Sequence, residues 1–327
     1  MHTARDKLRE LRALHEDGLL NLHEFERRKN AILDAAYAPP AGAWAAPANR
    51  GTELGLMAGQ EIGPQNRRYR LERLIAEGGM GQVWQALDLA TQAELGHSAT
   101  VALKILPPRL TRSAIHARLL VEEATQARRL AHEHIVRVYE WALDPATASY
   151  FLIMECLEGE DLESLLARSG PLSLARICQL LAPVGEALGY AWDKHRLVHR
   201  DIKPGNVFLT RAGEVKLLDF GIAARARGGA DAAGLEAPAS SGTAGYRAPE
   251  ALAPGRQPLP ALDVYAVAVM VYLMADGQMP FAGERAAGWA PQRPAALTAP
   301  QWEALQLGFS LEPAARPASV GALLASL

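Results

Sequence analysis

The chain has 327 residues, of which 49% are hydrophobic and 21% are charged, and its formal net charge is −2. This composition is typical of a globular protein and excludes disorder over the whole chain. The near-neutral charge provides no overall basic field for binding nucleic acid or an anionic membrane. Two cysteines are too few for a disulfide framework or a four-cysteine zinc site, and they favour a reducing compartment.

The first residues, MHTARDKLRELR, alternate charges where a signal peptide would have its apolar stretch, so we expect no export signal. The longest apolar run extends from Val264 to Ala275. It is shorter than the roughly 20 residues that a membrane-spanning helix needs. We therefore predict a buried core helix at this position, no membrane span, and a cytoplasmic protein.

Residues 1–37 have the pattern of a small helical hairpin. Leu8, Leu11 and Leu14 recur at helical spacing, Asp17-Gly18 provides a stop, and Asn21 begins a second helix. A hairpin of this size buries little surface unless it packs on something else. The stretch resembles the SHOCT family of short helical modules, which implies a homodimer or a partner protein bound through residues 1–37. The alternative is a solvated amphipathic hairpin without a partner.

Residues 38–68 are rich in Ala, Pro and Gly, which predicts a linker. From Tyr69 onward, short runs with β-branched and aromatic residues predict strands, interrupted by one helix at about residues 113–131. After Leu162 the pattern is mainly helical, with two short strands near residues 207–209 and 215–218. We predict an α+β protein whose sheet-rich lobe (69–157) and helical lobe (158–327) enclose a cleft.

The strongest chemical signal is HRDIKPGN at residues 199–206, followed by DFG at residues 219–221. Asp201, Asn206 and Asp219 supply the hard oxygen ligands that suit Mg²⁺ held together with phosphate. Lys203 adds a cation where a transferring phosphoryl group gathers negative charge. Any one triplet alone could be a polar turn, but the joint occurrence at this spacing argues against that alternative.

These motifs resemble those of the eukaryotic-type (Hanks) protein kinases, in their bacterial Ser/Thr subgroup, over residues 69–327. The resemblance implies a two-lobed kinase fold, ATP and Mg²⁺ as cofactors, protein substrates, and autophosphorylation. It implies that Asp201 accepts the proton of the substrate hydroxyl, that Lys203 stabilises the γ-phosphate, and that Asn206 and Asp219 hold the Mg²⁺ ions.

A glycine-rich stretch, EGGMGQV at residues 77–83, lies between two predicted strands, where backbone N–H groups can approach phosphates closely. The first glycine of the family pattern is Ala76 in this chain. The resemblance implies that Lys104 binds the α and β phosphates and pairs with Glu123 rather than Glu122. The implied nucleotide contacts are Ala76, Gly78, Gly79, Gly81, Val83, Ala102, Lys104, Met154, Glu155, Leu157 and Asp161. Asp161 is equally well explained as a carboxylate at a helix N-terminus.

The segment between Asp219 and Glu250 matches the family's activation segment. Ser240 and Ser241 lie where phosphorylation is expected, although both are also explained as ordinary loop serines, and Arg200 is suited to bind a phosphate there. Thr243 is expected to contact Asp201 and Lys203. The resemblance also implies two structural roles. Asp263 supports the catalytic loop, and Arg316 is the buried partner of Glu250.

Two other functions remain open at this point. One is a nucleotide-binding pseudokinase scaffold that recruits partners through the hairpin, favoured by Ala76 and by a short region after Phe281. The other is phosphorylation of a small molecule, against which the complete activation segment argues. A protein Ser/Thr kinase accounts best for the whole set of motifs.

Overall fold

The computed structural model describes residues 55–78, 81–95, 99–106, 121, 124–220, 245–252, 259–281 and 291–327. The predicted hairpin at residues 1–37 lies outside these ranges. The chain divides into two compact units. The described parts of residues 1–125 and 139–156 form the sheet unit, and those of residues 126–138 and 157–327 form the helical unit.

The sheet unit contains a six-stranded sheet in the order β1-β2-β3-β4-β6-β5. Its strands are β1 (Glu61–Ile62), β2 (Tyr69–Gly78), β3 (Gly81–Asp88), β4 (Thr100–Ile105), β5 (Val138–Asp144) and β6 (Ser149–Glu155). The pairs from β1 to β4, and the pair of β4 with β6, are antiparallel. One face of the sheet packs a core that includes Trp84, Leu103 and Ile153, which occupy matching positions on β3, β4 and β6.

The sheet begins upstream of the position that the sequence predicts. Residues 55–68 were assigned to the linker, but β1 pairs with β2, and Leu56 and Ile62 are buried in the core of the sheet unit. The carboxylate of Asp144, at the end of β5, accepts hydrogen bonds from the Gly63 N–H (2.9 Å) and from Arg68 (3.3 Å). The segment after β1 is thereby bonded to the strand at the other edge of the sheet. No hydrophobic periodicity signals this long-range contact.

A short helix after β3, α1 (Leu89–Leu95), was not predicted. Asp88 explains why it begins there, because its Oδ1 accepts hydrogen bonds from the backbone N–H groups of Ala90 and Thr91. Arg67 donates to the other oxygen of Asp88 at 2.6 Å. Burial alone would raise the pKa of Asp88, but the hydrogen bonds from Arg67 and Thr91 outweigh it and lower that pKa below its ordinary value.

In its described residues, the helical unit contains five α-helices and a three-stranded sheet in the order β7-β8-β9. The helices are α2 (Leu162–Ser169), α3 (Leu174–His195), α4 (Ala261–Asp276), α5 (Ala299–Gly308) and α6 (Val320–Ala325), and the strands are β7 (Gly159–Asp161), β8 (Val207–Thr210) and β9 (Val215–Leu217). Short 3-10 helices occur at Pro204–Asn206, Pro249–Leu252 and Pro313–Ala315.

The apolar run at Val264 to Ala275 forms most of α4, and nearly all of its side chains are buried in the core of this unit. The predicted buried core helix is therefore confirmed. Among the helices in the described ranges, none is long and apolar enough to cross a membrane. The prediction of a sheet-rich half followed by a helix-rich half in an α+β protein is also confirmed.

The border between the two halves differs from the predicted one at residues 126–138. The sequence assigned them to the first lobe, but they belong to the helical unit. The Val136 N–H donates to the Leu217 carbonyl and the Leu217 N–H donates to the His134 carbonyl, which bonds this stretch to β9. Of the helix predicted at about residues 113–131, the structure describes residues 121 and 124–131. Residues 124–127 are helical, so the helix ends before the expected residue 131.

Candidate active site

The loop that carries Asp201 is fixed to the first turn of α4. Both carboxylate oxygens of Asp263 accept backbone N–H bonds, one from His199 at 2.9 Å and one from Arg200 at 2.8 Å. Complete burial raises the pKa of Asp263 above its ordinary value, although these N–H groups and the nearby His199 and Arg200 act in the opposite direction. The supporting role expected of Asp263 is therefore confirmed.

Two residues of this region, Arg200 and Asp219, have positive φ angles of 68° and 57°. Such a conformation is strained for a residue with a side chain and costs on the order of 1–3 kcal/mol. The bond to Asp263 holds Arg200 in it. Strained backbone on both sides of the candidate site is typical of functional loops whose geometry is imposed by their surroundings.

His199 connects the Asp201 loop to the strand that leads to Asp219. Its buried ring donates from Nε2 to the Leu218 carbonyl at 2.7 Å and accepts from the Asp201 N–H at Nδ1, at 3.3 Å. In this pair of bonds Nε2 is the donor and Nδ1 is the acceptor. The ring also lies 4.8 Å from that of Phe220. The sequence analysis gives His199 no role. Its position directly before Arg200 and Asp201 is the one local feature that indicates a part in this loop.

Asp201, Lys203 and Asn206 lie side by side in the loop. Lys203 Nζ is 3.3 Å from a carboxylate oxygen of Asp201. The amide nitrogen of Asn206 donates to the Asp201 carbonyl at 2.7 Å and approaches the Asp201 carboxylate at 3.3 Å. The loop thus presents a cation and an amide that each lie within bonding distance of Asp201.

Asp219 is brought to the same place by the β8–β9 hairpin. Val207 pairs with Leu217, so the residues just outside this pair, Asn206 and Leu218, lie opposite each other. The Leu218 N–H donates to the Asn206 carbonyl at 2.8 Å. Asp219 follows immediately. The register of the two-stranded ladder therefore places Asp219 one residue beyond Leu218, the ladder partner of Asn206.

The orientation of Asn206 suits a cation ligand. Its amide nitrogen is used in bonds to Asp201, so its carbonyl oxygen Oδ1 is directed away from them. An amide oxygen and the Asp219 carboxylate are the ligand types that Mg²⁺ prefers, with phosphate oxygens and water completing the octahedron. Within the described ranges, no three His, Cys, Asp or Glu side chains are grouped closely enough to hold a metal by themselves.

In the sheet unit, most predicted nucleotide contacts share one face of the sheet. Val83 pairs with Lys104, and Ala102 pairs with Met154. Residues paired across antiparallel strands, and residues two apart on one strand, point to the same side. This face is opposite the face that packs Trp84, Leu103 and Ile153 in the core. Ala102, Lys104 and Met154 are buried.

The glycine-rich stretch forms the turn between β2 and β3. Ala76 pairs with Val83, and Gly78 pairs with Gly81, whose φ is 113°. That angle is unfavourable for any residue with a β-carbon, so Gly81 is required by the backbone. Ala76 lies within the ladder, where alanine is tolerated. Gly79 lies outside the described residues.

The predicted connector residues lie at the end of β6 and just beyond it. Glu155 is the last residue of β6, and Leu157 begins the second segment of the helical unit, residues 157–327. Asp161 caps α2, because its carboxylate accepts a bond from the Ser164 N–H at 2.7 Å. The helix-terminus explanation of Asp161 is thus the one that has a contact in the structure.

Glu250 and Arg316 form the expected buried ion pair. Arg316 donates through both terminal nitrogens to the two carboxylate oxygens of Glu250, at 2.6 and 3.0 Å. It also donates to the carbonyls of Ser310 and Ala261, and its guanidinium lies over the ring of Tyr265. This prediction is confirmed. Several other predicted residues lie outside the described ranges: Glu122, Glu123, Ser240, Ser241 and Thr243.

Comparison with protein families places a protein kinase domain model on residues 69–301. A curated relative, the serine/threonine-protein kinase PknA of Mycobacterium tuberculosis, is 40% identical over 223 residues, which are 67% of this chain and 49% of that protein. The serine/threonine-protein kinase pkn3 of Myxococcus xanthus is 35% identical over 280 residues, covering 80% of this chain and 49% of that protein. The chain spans about half the length of these relatives.

Solved structures agree on the fold. The crystal structure of the M. tuberculosis PknI kinase domain matches with a TM-score of 0.64 and 25% identity, covering 83% of this chain and 97% of that one. The PpkA-294 apo form matches with a TM-score of 0.66 at 20% identity, and this likeness concerns the fold alone. With a family model that covers most of the chain and the motif residues assembled as described, the chain belongs to the protein kinase family.

Proposed function

We propose that this chain is a protein serine/threonine kinase that transfers the γ-phosphate of ATP to Ser or Thr hydroxyls of proteins, including its own. One observation carries the proposal. The amide of Asn206 is bonded to Asp201, and the backbone of Asn206 is bonded to the residue before Asp219. Asp201 and Asn206 are therefore joined directly, and Asp219 follows the residue that is bonded to Asn206.

The chemistry that this arrangement supports is an in-line displacement. Asp201 orients the substrate hydroxyl and accepts its proton as the oxygen bonds to the γ-phosphorus. The bond from that phosphorus to the β,γ-bridging oxygen breaks, and ADP leaves. Lys203, 3.3 Å from Asp201, offers its ammonium to the charge that develops on the transferring group.

Asn206 and Asp219 would hold Mg²⁺, which when bound neutralises charge on the phosphate oxygens. Lys104 would bind the α and β phosphates, and Glu123 would pair with it. On the same sheet face, Val83, Ala102 and Met154 would contact adenine, and backbone N–H groups of the glycine-rich stretch would bind the phosphates. The backbones of Glu155 and Leu157 would bond to the adenine edge.

The test compares the native chain with Asp201→Asn and with a surface control, Asp193→Asn, on α3. Each protein is incubated with labelled ATP·Mg²⁺ and a generic protein substrate. We expect Asp201→Asn to lose transfer by about 10²- to 10⁴-fold while nucleotide binding is kept, because the base is removed and the fold is not. The control should remain active. A native chain that binds ATP and transfers no phosphate would support a scaffold function instead.

Phosphorylation of the activation segment is the regulatory part of the proposal. Ser240 and Ser241 are the proposed acceptors, Arg200 is the proposed phosphate partner, and Thr243 is proposed to contact substrate. Mass spectrometry of the native chain after incubation with ATP should locate phosphate on one of the two serines. A Ser240→Ala/Ser241→Ala double variant should then lose autophosphorylation at this segment.

We propose that residues 1–37 associate with a second copy or with a partner protein, as their leucine spacing indicates. A full-length variant with Leu8→Asp and Leu11→Asp should have a lower mass by light scattering than the native chain, whereas Arg9→Gln should not. Equal masses for all three would contradict self-association. We also propose a cytoplasmic location, because two cysteines in the sequence are too few for a disulfide framework.

A further inference from the structure

The end of the β2–β3 ladder that carries the glycine-rich stretch is weakly held by its backbone. The pairing register shifts between Leu74 and Ala76, and only three residue pairs lie between this shift and the turn. In the described residues, β1 pairs only with Tyr69 and Arg70 of β2, so β2 is paired on one side alone near the turn. Bulges and glycines both weaken the specification of a ladder. A side chain that joins the two strands at this end therefore has a large influence on where the turn lies.

Gln82 joins the strands at this end. It pairs with Glu77 in the ladder and is only 2% exposed, although its side chain is polar. Its Nε2 donates to the Glu77 carboxylate at 2.8 Å, and its Oε1 accepts from the indole N–H of Trp84 at 3.0 Å. Trp84 is packed in the core of the sheet unit. The two bonds thus connect the end of β2, through Gln82, to that core.

The two partners of Gln82 require a side chain that both accepts and donates. The indole N–H of Trp84 can only donate, and the carboxylate of ionised Glu77 can only accept. A glutamate at position 82 would have no proton for Glu77, and a lysine would have no acceptor for Trp84. An apolar residue would leave the buried indole N–H without an acceptor, which is costly. The amide of glutamine satisfies both partners.

This connection is adjacent to the backbone that the proposed function assigns to phosphate binding. Gln82 follows Gly81 and Glu77 precedes Gly78, and these two glycines form the pair nearest the turn. Val83, the next residue along β3, lies on the face of the proposed nucleotide contacts, so Gln82 is directed to the opposite face. Gln82 therefore acts on the turn from the core side and is not itself a nucleotide contact.

We propose that Gln82 is a positioning residue for the nucleotide, which holds the glycine-rich turn where its N–H groups can bind phosphate. The inference rests on the proposed function. Without this connection the turn would have to be ordered when ATP binds, and the cost of that ordering weakens nucleotide binding. The KM for the protein substrate should not change, because Asp201 and its loop belong to the other unit.

The experiment uses the full chain and compares three variants with it. Gln82→Met loses both hydrogen bonds and changes no charge. Gln85→Met is the matched control on the same strand, because Gln85 accepts from Arg73 of β2 at 2.9 Å in an exposed position. The double variant Glu77→Gln/Gln82→Glu exchanges donor and acceptor at the native net charge. Its new amide can donate to its new carboxylate, which can still accept from Trp84.

The measurements are the KM for ATP, the KM for a generic protein substrate, kcat, and the Kd for ADP·Mg²⁺ by calorimetry, all well below the lowest thermal midpoint. Gln82→Met should raise the KM for ATP and the Kd for ADP about fivefold to tenfold, as expected for losing a hydrogen bond to a charged partner. Its KM for the protein substrate should stay at the native value. Gln85→Met should change the KM for ATP by less than about twofold.

The rescue separates positioning from stability. Gln82→Glu alone places two carboxylates opposite each other and should weaken ADP binding at least as much as Gln82→Met. The double variant should return to within about twofold of the native Kd, because the bond between the strands is restored. If Gln82→Met does not fold, Gln82→Glu and the double variant provide the same comparison.

Two results would overturn the inference while the proposed kinase function stands. One is a native KM for ATP in Gln82→Met together with a lower thermal midpoint, which would mean that Gln82 serves stability alone. The other is a double variant that binds ADP as weakly as Gln82→Glu. If the native chain neither binds nucleotide nor transfers phosphate, the proposed function fails first and the inference fails with it.

Discussion

In the helical unit, the catalytic loop is held by side chains that bond to backbone groups, whereas in the sheet unit the candidate nucleotide contacts are aligned by pairing between strands. Asp263 holds two N–H groups of the loop, and His199 joins it to the Leu218 carbonyl. In the sheet, Lys104 lies opposite Val83 because of the β3–β4 register. A ladder tolerates changes of side chain, since the backbone makes its bonds.

This difference leads us to expect different consequences of mutation in the two units. Loss of a supporting side chain in the helical unit should reduce stability, because buried polar groups lose their partners. Loss of a candidate site residue on the sheet should reduce phosphate transfer with little effect on stability. The following predictions test that contrast, beginning with the largest expected effect.

Arg316→Ala should lower the free energy of unfolding by about 3–5 kcal/mol, because it leaves the largely buried Glu250 without its partner. Denaturant unfolding measures the loss. Arg211→Ala is the control, since its pair with Glu158 is exposed (80% and 76%), and it should change stability by less than about 0.5 kcal/mol. If Arg316→Ala is too unstable to purify, Arg316→Lys, which keeps the charge and loses the two-bond geometry, should show a smaller loss. Equal stability of native chain and Arg316→Lys would contradict this account.

Lys104→Met should reduce phosphate transfer on the order of 10²- to 10³-fold, the cost of removing one group that stabilises the transferring phosphate. Stability should fall less than in Arg316→Ala, because methionine keeps the packing of the buried lysine stem. Single-turnover transfer and denaturant unfolding are the two measurements. Lys194→Met, at the exposed end of α3, should alter neither. A large loss of stability in Lys104→Met would break the contrast between the units.

Asp88→Asn should cost about 1–3 kcal/mol at pH 7, where the native carboxylate accepts from Arg67 and Thr91. The pKa of Asp88 is below its ordinary value, so the unfolded chain binds the proton more readily than the folded chain. The stabilisation is therefore present above pH 3.8 and is lost as the pH falls through the lowered pKa. The free energy of unfolding of both proteins is measured from pH 7 down to pH 3. The difference between Asp88→Asn and the native chain should shrink only below about pH 4.

The pKa of Asp263 is shifted in the opposite direction from that of Asp88, so its effect on stability should depend on pH in the opposite way. Its pKa is raised by burial, so the folded chain binds the proton more readily, and ionisation costs stability as the pH rises above 3.8 through the raised pKa. Relative to Asp263→Asn, the native chain should gain stability as the pH falls through that range. If the native chain also gained stability relative to Asp88→Asn as the pH falls, the cause given for the pKa shift at one of the two sites would be wrong.

Ala76→Gly should change the KM for ATP by no more than about twofold, because Ala76 lies in the regular β2–β3 ladder. Gly81→Ala is the matched variant on the other strand and should have a larger effect, since φ at Gly81 is 113°. Steady-state kinetics with ATP as the varied substrate measures both. A larger effect of Ala76→Gly than of Gly81→Ala would show that the family's first glycine position matters more than the turn.

Much of the candidate site was predictable because its residues lie close together in the chain. Asp201, Lys203 and Asn206 share one loop, and Asp219 follows after a hairpin whose two strands are short and apolar. The core helix α4 was predictable from its unbroken apolar run. In these cases, local spacing alone determines which groups meet.

Other contacts join residues far apart in the chain and had no local signal. Examples are Asp144 with Gly63 and the approach of Glu163 to Gly205. The assignment of residues 126–138 to the helical unit depends on bonds to β9, which is distant in sequence. Such contacts depend on how elements pack, and packing is a property of pairs of surfaces rather than of one segment.

The order and spacing of the motifs by themselves determined the family, the order of the elements and the types of group available for phosphate transfer. Only the tertiary structure decided which of those groups are held in strained geometry, which side chains fix the catalytic loop, and where the sheet begins. The physical reason is that periodicity and motif spacing are local, whereas burial and charge neutralisation depend on segments that meet only after folding.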